Sequence, residues 1–259
     1  MLGVSELTNT IVLLFYKNRV SEELKQLKAY SNLVCFNKDW PQYKIAQKTK
    51  KNIFLINSTR TTNNWLDECQ RQAKILKQEN SYWLSQINKS KRSIIYILGY
   101  LGKLPTLHKN ETGETLFRET IKILIEETDL VILLKPHAIT DIKNIRSILD
   151  EYASDRVHII YNHIAILSHF CDYSISNYFS LTIPDVWTSG VKTIEYTHYD
   201  EEVMILTKSN TLRPKYVDVF INKDPDLLRF ELKKDFIKKK RTLKNIKFDD
   251  TKLLQEKFL

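Results

Sequence analysis

The sequence predicts an α/β fold built from two Rossmann-like parallel-sheet domains, the N-terminal one small or truncated. Three observations lead there. Short apolar runs alternate with segments of helical period, most clearly between Asp129 and Tyr199, and that alternation marks βαβ units. Polar and special residues stand where the strands should end: Lys135-Pro136-His137 after one, Ser176-Asn177 after another. The 259 residues are enough for one large or two small hydrophobic cores.

Composition narrows the class. A hydrophobic content of 42% with 27% charged residues describes an ordinary globular chain. The longest apolar runs, Thr10–Tyr16, Ser93–Leu101 and Leu130–Leu134, are too short to span a bilayer. The opening M-L-G-V-S-E-L-T-N-T has neither the charged start nor the apolar core of a signal peptide. Cys35, Cys69 and Cys171 are odd in number and scattered, which argues for a reducing, cytoplasmic setting. The net charge of +9 suits a phosphorylated substrate, nucleic acid or an anionic membrane. Much of it is local, since residues 233–247 hold eight Lys or Arg against one Asp. The basic residues are not interleaved with aromatics in an RNA-binding motif, so no nucleic-acid partner is expected.

The elements follow in order. Thr10–Tyr16 reads as a buried strand, and Ser21 caps a helix with acidic residues first and lysines later. Asn32–Phe36 and Asn52–Asn57 are further strands around a weak basic helix, Tyr43–Lys50. This βαβαβ pattern lacks a G-x-G-x-x-G fingerprint. A polar loop, Ser58–Asn64, leads to a helical stretch from Trp65 to Asn88 with Leu66, Cys69, Ala73, Leu76 and Leu84 on its apolar stripe. Residues 1–90 form the first domain and Lys89–Arg92 reads as a linker.

The second domain, 91–222, begins with the strand Ser93–Gly99. The loop G-Y-L-G-K, with Gly99, Gly102 and Lys103, precedes a long helix; glycines there let backbone N–H groups approach a phosphate, or simply make a turn. Strand Asp129–Leu134 ends in Lys135-Pro136-His137, a cation suited to phosphate and a side chain that can donate a proton or hydrogen bond. A helix over Asp141–Tyr152, a strand over Arg156–Asn162 and a short helix over Ile164–Phe170 follow. His163, His169 and Cys171 lie close in sequence, without a recognised zinc spacing.

Strand Asp172–Ser176 leads to a short helix bounded by Pro184 and Gly190, with Asn177, Ser180 and Thr182 at its start; they make an anion site or merely cap the helix. Val191–Tyr196 is the next strand, and its Glu195 contacts a ligand or pairs with a lysine. Val203–Thr207 and Tyr216–Ile221 read as the last strands. Residues 223–259 form a basic helical segment that packs on the body or touches anionic lipid through 233–247.

K-P-H after a strand, then strand, S-x-S-N-x-x-S, short helix, Gly and V-K-T-I-E-Y, resembles the donor-binding half of GT-B glycosyltransferases, in particular bacterial surface and capsule polysaccharide enzymes. The resemblance covers about Ser93 to Tyr199. It departs from the family pattern at Ala138, where a second proline is usual, and in the spread of Ser176, Ser180 and Thr182. It implies transfer of a sugar from a nucleotide-activated donor, CMP- or UDP-linked, to a glycan acceptor, without metal or other cofactor, in the cytoplasm or at the inner face of the membrane. Lys135, His137, Ser180 and Thr182 would then hold the donor phosphate, with the Gly99–Lys103 loop facing them and Asn177 and Glu195 nearby. No D-x-D motif occurs. For the catalytic base, Asp67, Glu68 and Glu114 are conceivable and nothing selects among them. The competing readings are a polyol-phosphate transferase or sugar-nucleotide epimerase of similar fold, and a non-enzymatic basic binding module.

Overall fold

The computed structural model describes residues 32–35, 52–55, 63–79, 81–90, 92–104, 106–126, 130–137, 140–178, 180, 182–211, 214–235, 238 and 241. The chain divides into two compact units, Met1–Leu66 with Leu243–Leu259, and Asp67–Thr242. In the first, β1 (Asn32–Cys35) and β2 (Asn52–Leu55) pair in parallel, as a βαβ pattern requires. The strand expected over Thr10–Tyr16 and the helices expected from Ser21 and over Tyr43–Lys50 lie outside the described residues.

Two helices come next, α1 (Asn63–Gln78) and α2 (Tyr82–Lys89), where periodicity had suggested one continuous helix from Trp65 to Asn88. The break falls at Glu79–Ser81, where Ser81 is extended and starts α2. Cys69, Ala73, Leu76 and Leu84 of the expected stripe are buried.

The second unit is a six-stranded, all-parallel sheet in the order β5-β4-β3-β6-β7-β8. Its strands are β3 (Ser93–Ile97), β4 (Val131–Lys135), β5 (Val157–Ile159), β6 (Tyr173–Ser176), β7 (Lys192–Thr197) and β8 (Val219–Asn222). Counted within this unit the order is 3-2-1-4-5-6, that of a doubly wound Rossmann sheet. The connecting helices are α3 (Gly113–Glu126), α4 (Ile142–Asp150), α5 (Ile164–Leu167), α6 (Ile183–Thr188), α7 (Glu201–Leu206) and α8 (Pro225–Lys233).

Burial on both faces explains why the central strands β3 and β4 read as continuous apolar runs. One face carries Ile95, Ile97, Val131 and Leu133, packed against Ile164 and Leu167 of α5 and Ile183 and Val186 of α6. On the other face Tyr96 meets Phe117 of α3, with ring centroids 5.6 Å apart. Each fully buried Ile or Leu contributes about 1.5 to 3 kcal/mol.

The helix starts are written in the sequence. Asp141 accepts from Lys143 N at 2.9 Å to open α4, and Asp224, ahead of Pro225, accepts from Leu227 N at 2.9 Å to open α8. Gly190 takes φ 83° after α6, the left-handed conformation its C-terminal position asks for.

Two expectations are overturned. Val203–Thr207, expected as a strand, lies within and just after α7. Asp200 accepts from Val203 N at 2.8 Å and Glu201 and Glu202 fill the first turn, so capping and dipole outweigh the β-propensity of the V-M-I-L-T run. Within the basic helical segment expected over residues 223–259, helix α8 ends at Lys233, because Lys234 is extended. Beyond it, Lys238 donates to Ser168 O at 3.1 Å, and Arg241 pairs with Asp218 at 2.8 Å over the Trp187 ring. Part of the basic run is thus turned onto the body of the unit.

Candidate functional site

Strand order reverses between β3 and β6, and the carboxyl ends of these strands frame the crevice in which open α/β sheets bind ligands. Parallel register sets one row of side chains across this edge: Lys135 opposite Ile97, Ile97 opposite Ser176, Ser176 opposite Glu195. Registered residues face the same side of a sheet, and neighbouring strands lie about 4.8 Å apart. Lys135 and Ser176 therefore flank Ile97 on one face, about 10 Å apart at their backbones.

Lys135 is half-buried. Burial is the sole cause lowering its pKa, and among the described residues no carboxylate pairs with it. Ser176 Oγ is buried and, among the described residues, has no hydrogen-bond partner; Thr197 Oγ1, at the end of β7, is in the same position. An unpaired ammonium and unpaired hydroxyls cost stability that an anionic, hydrogen-bonding ligand would return.

The other expected residues divide. Glu195 is wholly buried, accepts from Tyr199 Oη at 2.9 Å and Thr211 Oγ1 at 2.7 Å, and burial pushes its pKa up to about 7 against those two donors. Asn177 turns to the opposite face, where Tyr96 Oη donates to its Oδ1, while its Nδ2 donates to Thr120 Oγ1 at 2.8 Å and to Tyr196 O at 3.2 Å. It is a core strut. Ser180 and Thr182 bond each other at 2.9 Å at the start of the six-residue α6, and Thr182 makes no side-chain cap bond. His137 is exposed just beyond Lys135, and its carbonyl accepts from Thr140 N at 3.0 Å.

Gly99, Gly102 and Lys103 lie on a long connection whose described parts are residues 98–104 and 106–112, and two of its carbonyls are turned to the start of α3. Gly113 N donates to Gly102 O at 2.9 Å and Glu114 N to Leu101 O at 2.8 Å. Thr112 Oγ1 accepts from Thr115 N at 3.1 Å, while Thr112 N donates to Thr115 Oγ1 at 2.9 Å. The first amides of α3, which hold pyrophosphate in dinucleotide-binding sheets, are thereby committed.

The same connection crosses the sheet. His108 N donates to His198 O at 2.9 Å, Asp200 N to Thr106 O at 3.2 Å, and Leu107 bridges Tyr199. Because β6 lies between β3 and β7, the connection passes over the end of β6, as a strap across the crevice. Its far end is held by His198, whose Nδ1 is 3.3 Å from Glu111 on the strap and whose Nε2 is 3.3 Å from Glu119 on α3. Tyr196 Oη also donates to Glu119. Burial lowers the His198 pKa, and the two carboxylates outweigh it, so the net shift is upward. Sequence reasoning missed this cluster, since its members are separated by about eighty residues and only the sheet order joins them.

Among the described residues no group of three or more His, Cys, Asp or Glu is arranged to hold a metal ion, and no helix is long and apolar enough to cross a membrane. His163 caps α5 instead, its Nδ1 accepting from Ala165 N at 3.2 Å. Of the conceivable bases, Asp67 is exposed, while Glu114 pairs with Arg118 at 3.0 Å. Glu68 is held by Arg71 and Gln72, which bring its pKa down to about 2 and make it a weak base. No protein-family model matches the chain, and no curated protein matches it either.

Proposed function

We propose that the chain is a GT-B-like glycosyltransferase that binds a nucleotide-activated sugar at the carboxyl edge of its six-stranded sheet and transfers the sugar to a glycan acceptor in cell-surface polysaccharide synthesis. The observation that carries this reading is the row Lys135–Ile97–Ser176 beside the switch point, a cation and a buried hydroxyl on one face that have no partner among the described residues. The resemblance of K-P-H and S-x-S-N-x-x-S to donor-binding motifs falls on these residues, and the presence of parallel strand pairs in both units agrees with two α/β domains.

The chemistry requires that the departing nucleotide phosphate be stabilised as the glycosidic bond to it breaks. In this reading Lys135 supplies the positive charge, His137 supplies a further donor from the adjoining turn, and Ser176 hydrogen-bonds a phosphate oxygen. Preorganised charge of this kind acts most strongly where water is excluded. The closed start of α3 argues against a dinucleotide cofactor held in the usual Rossmann manner.

The test is product release. The protein is incubated with CMP-, UDP-, GDP- and TDP-sugars, with an oligosaccharide acceptor pool, and free nucleotide and extended glycan are quantified. One nucleotide sugar should be consumed with matched sugar transfer, and Lys135→Ala should lower the rate about a hundredfold, as loss of one transition-state donor does. Nucleotide release from none of the donors would remove the transferase reading.

A further inference from the structure

At the switch point the chain leaving β6 reaches across to the chain leaving β3. Tyr178, two residues past the end of β6, donates its hydroxyl to Tyr100 O on the strap. Its ring lies against the bare face of Gly99, where an added Cβ would sit 2.1 Å from Tyr178 Oη and 2.2 Å from two of its ring carbons. Among the described glycines only Gly190 has a positive φ, so Gly99 serves this close approach and not a backbone turn. The two loops that leave the switch point are thus locked together by one aromatic ring. The strap that this ring pins continues over the end of β6 to its latch at His198.

We propose that Tyr178 is an autoinhibitory plug: its ring occupies the part of the crevice that a nucleoside takes, and binding requires the ring to swing out from between the two loops. This rests on the nucleotide-donor reading and adds its regulation. Tyr178 is only half-buried, and its hydroxyl anchor is a single bond to a backbone carbonyl. Its release is therefore a local opening and does not require unfolding of the sheet. A ligand that binds only the open form has an apparent affinity reduced by the fraction of open molecules. Loosening the plug must therefore tighten binding.

Three variants of the full chain test this: Gly99→Ala, whose methyl displaces the ring; Tyr178→Ala, which removes it; and Tyr178→Phe, which keeps the packing and removes only the anchor. CMP and UDP are titrated calorimetrically into each, and amide hydrogen exchange is followed over residues 98–104. All three should bind the nucleotide that wild type binds more tightly, Tyr178→Phe by about two- to tenfold, the equilibrium value of one net hydrogen bond, and all should exchange faster over 98–104. If wild type binds and the variants bind equally or more weakly, Tyr178 is a structural or ligand-contacting residue and the plug is overturned, while the donor reading stands. If neither wild type nor any variant binds either nucleotide, the donor reading falls and takes the plug with it.

Discussion

Glu195 shows how a buried carboxyl reports on pH. Its pKa is raised from 4.5 to about 7, so between those values the folded chain keeps a proton that the unfolded chain releases. Stability therefore falls as pH rises through that window and levels off above it. Glu195→Gln keeps one acceptor oxygen, presents an amide donor to the second hydroxyl, and should abolish the fall; urea melts at pH 5 and pH 7.5 on both proteins measure it. Thr197 gives the opposite kind of prediction. Its buried hydroxyl has no partner among the described residues, so Thr197→Val should leave stability unchanged or raise it by about 1 kcal/mol in the same melts. A loss of more than that would mean the hydroxyl is bonded inside the fold. Sequence pattern placed Glu195 on the strand Val191–Tyr196 and left Thr197 just beyond it. It could not show that Thr211, sixteen residues on, reaches back to Glu195, because that contact depends on how the chain returns after α7.

At the scale of elements, the strap and α8 each rest on a charge contact that spacing alone does not reveal. His198 faces Glu111 on the strap and Glu119 on α3, with Tyr196 beside it and Arg229 of α8 close enough to act on Glu119. Its raised pKa means that its stabilising contribution is present below the unfolded value of 6.5 and is lost as pH rises through the higher folded value. Glu111→Gln should thus cost about 1 kcal/mol at pH 6 and less at pH 8.5, with faster hydrogen exchange over residues 106–112 as the local readout. Lys192 on β7 and Glu231 on α8 form a nearly buried pair at 2.9 Å. Glu231→Ala leaves that lysine uncompensated and should cost about 3 kcal/mol in a denaturant melt. Strands β3 and β4 were legible because apolar runs buried on both faces have few alternative readings. Helix α7 was not, since V-M-I-L-T suits either structure and the cap at Asp200 decides it.

For the whole molecule, alternating strands and helices announce a parallel sheet, but strand order is a long-range property. The row from Lys135 to Glu195 exists only because β3 pairs with both β4 and β6. This is why Lys135 and Glu195 could be singled out from sequence while Ser176, the residue between them with an unpaired hydroxyl, was read only as part of a motif. The glycine loop shows the complementary case. G-Y-L-G-K is compatible with a phosphate cradle, yet the chain folds it back to close the start of α3. The net charge of +9 likewise divides in three dimensions, with Lys238 and Arg241 spent on internal contacts and Lys135 left facing the crevice edge.

Calorimetric titration of CMP, CDP, UDP, GDP and TDP into wild type and Lys135→Ala, in EDTA, puts the donor site to the most direct trial. One nucleotide should bind wild type without metal, and Lys135→Ala should weaken it by about tenfold or more, the value of one charge-assisted hydrogen bond to phosphate. Equal binding by the two proteins, or binding of no nucleotide by wild type or by Tyr178→Ala, would contradict a phosphate site at the carboxyl edge of this sheet.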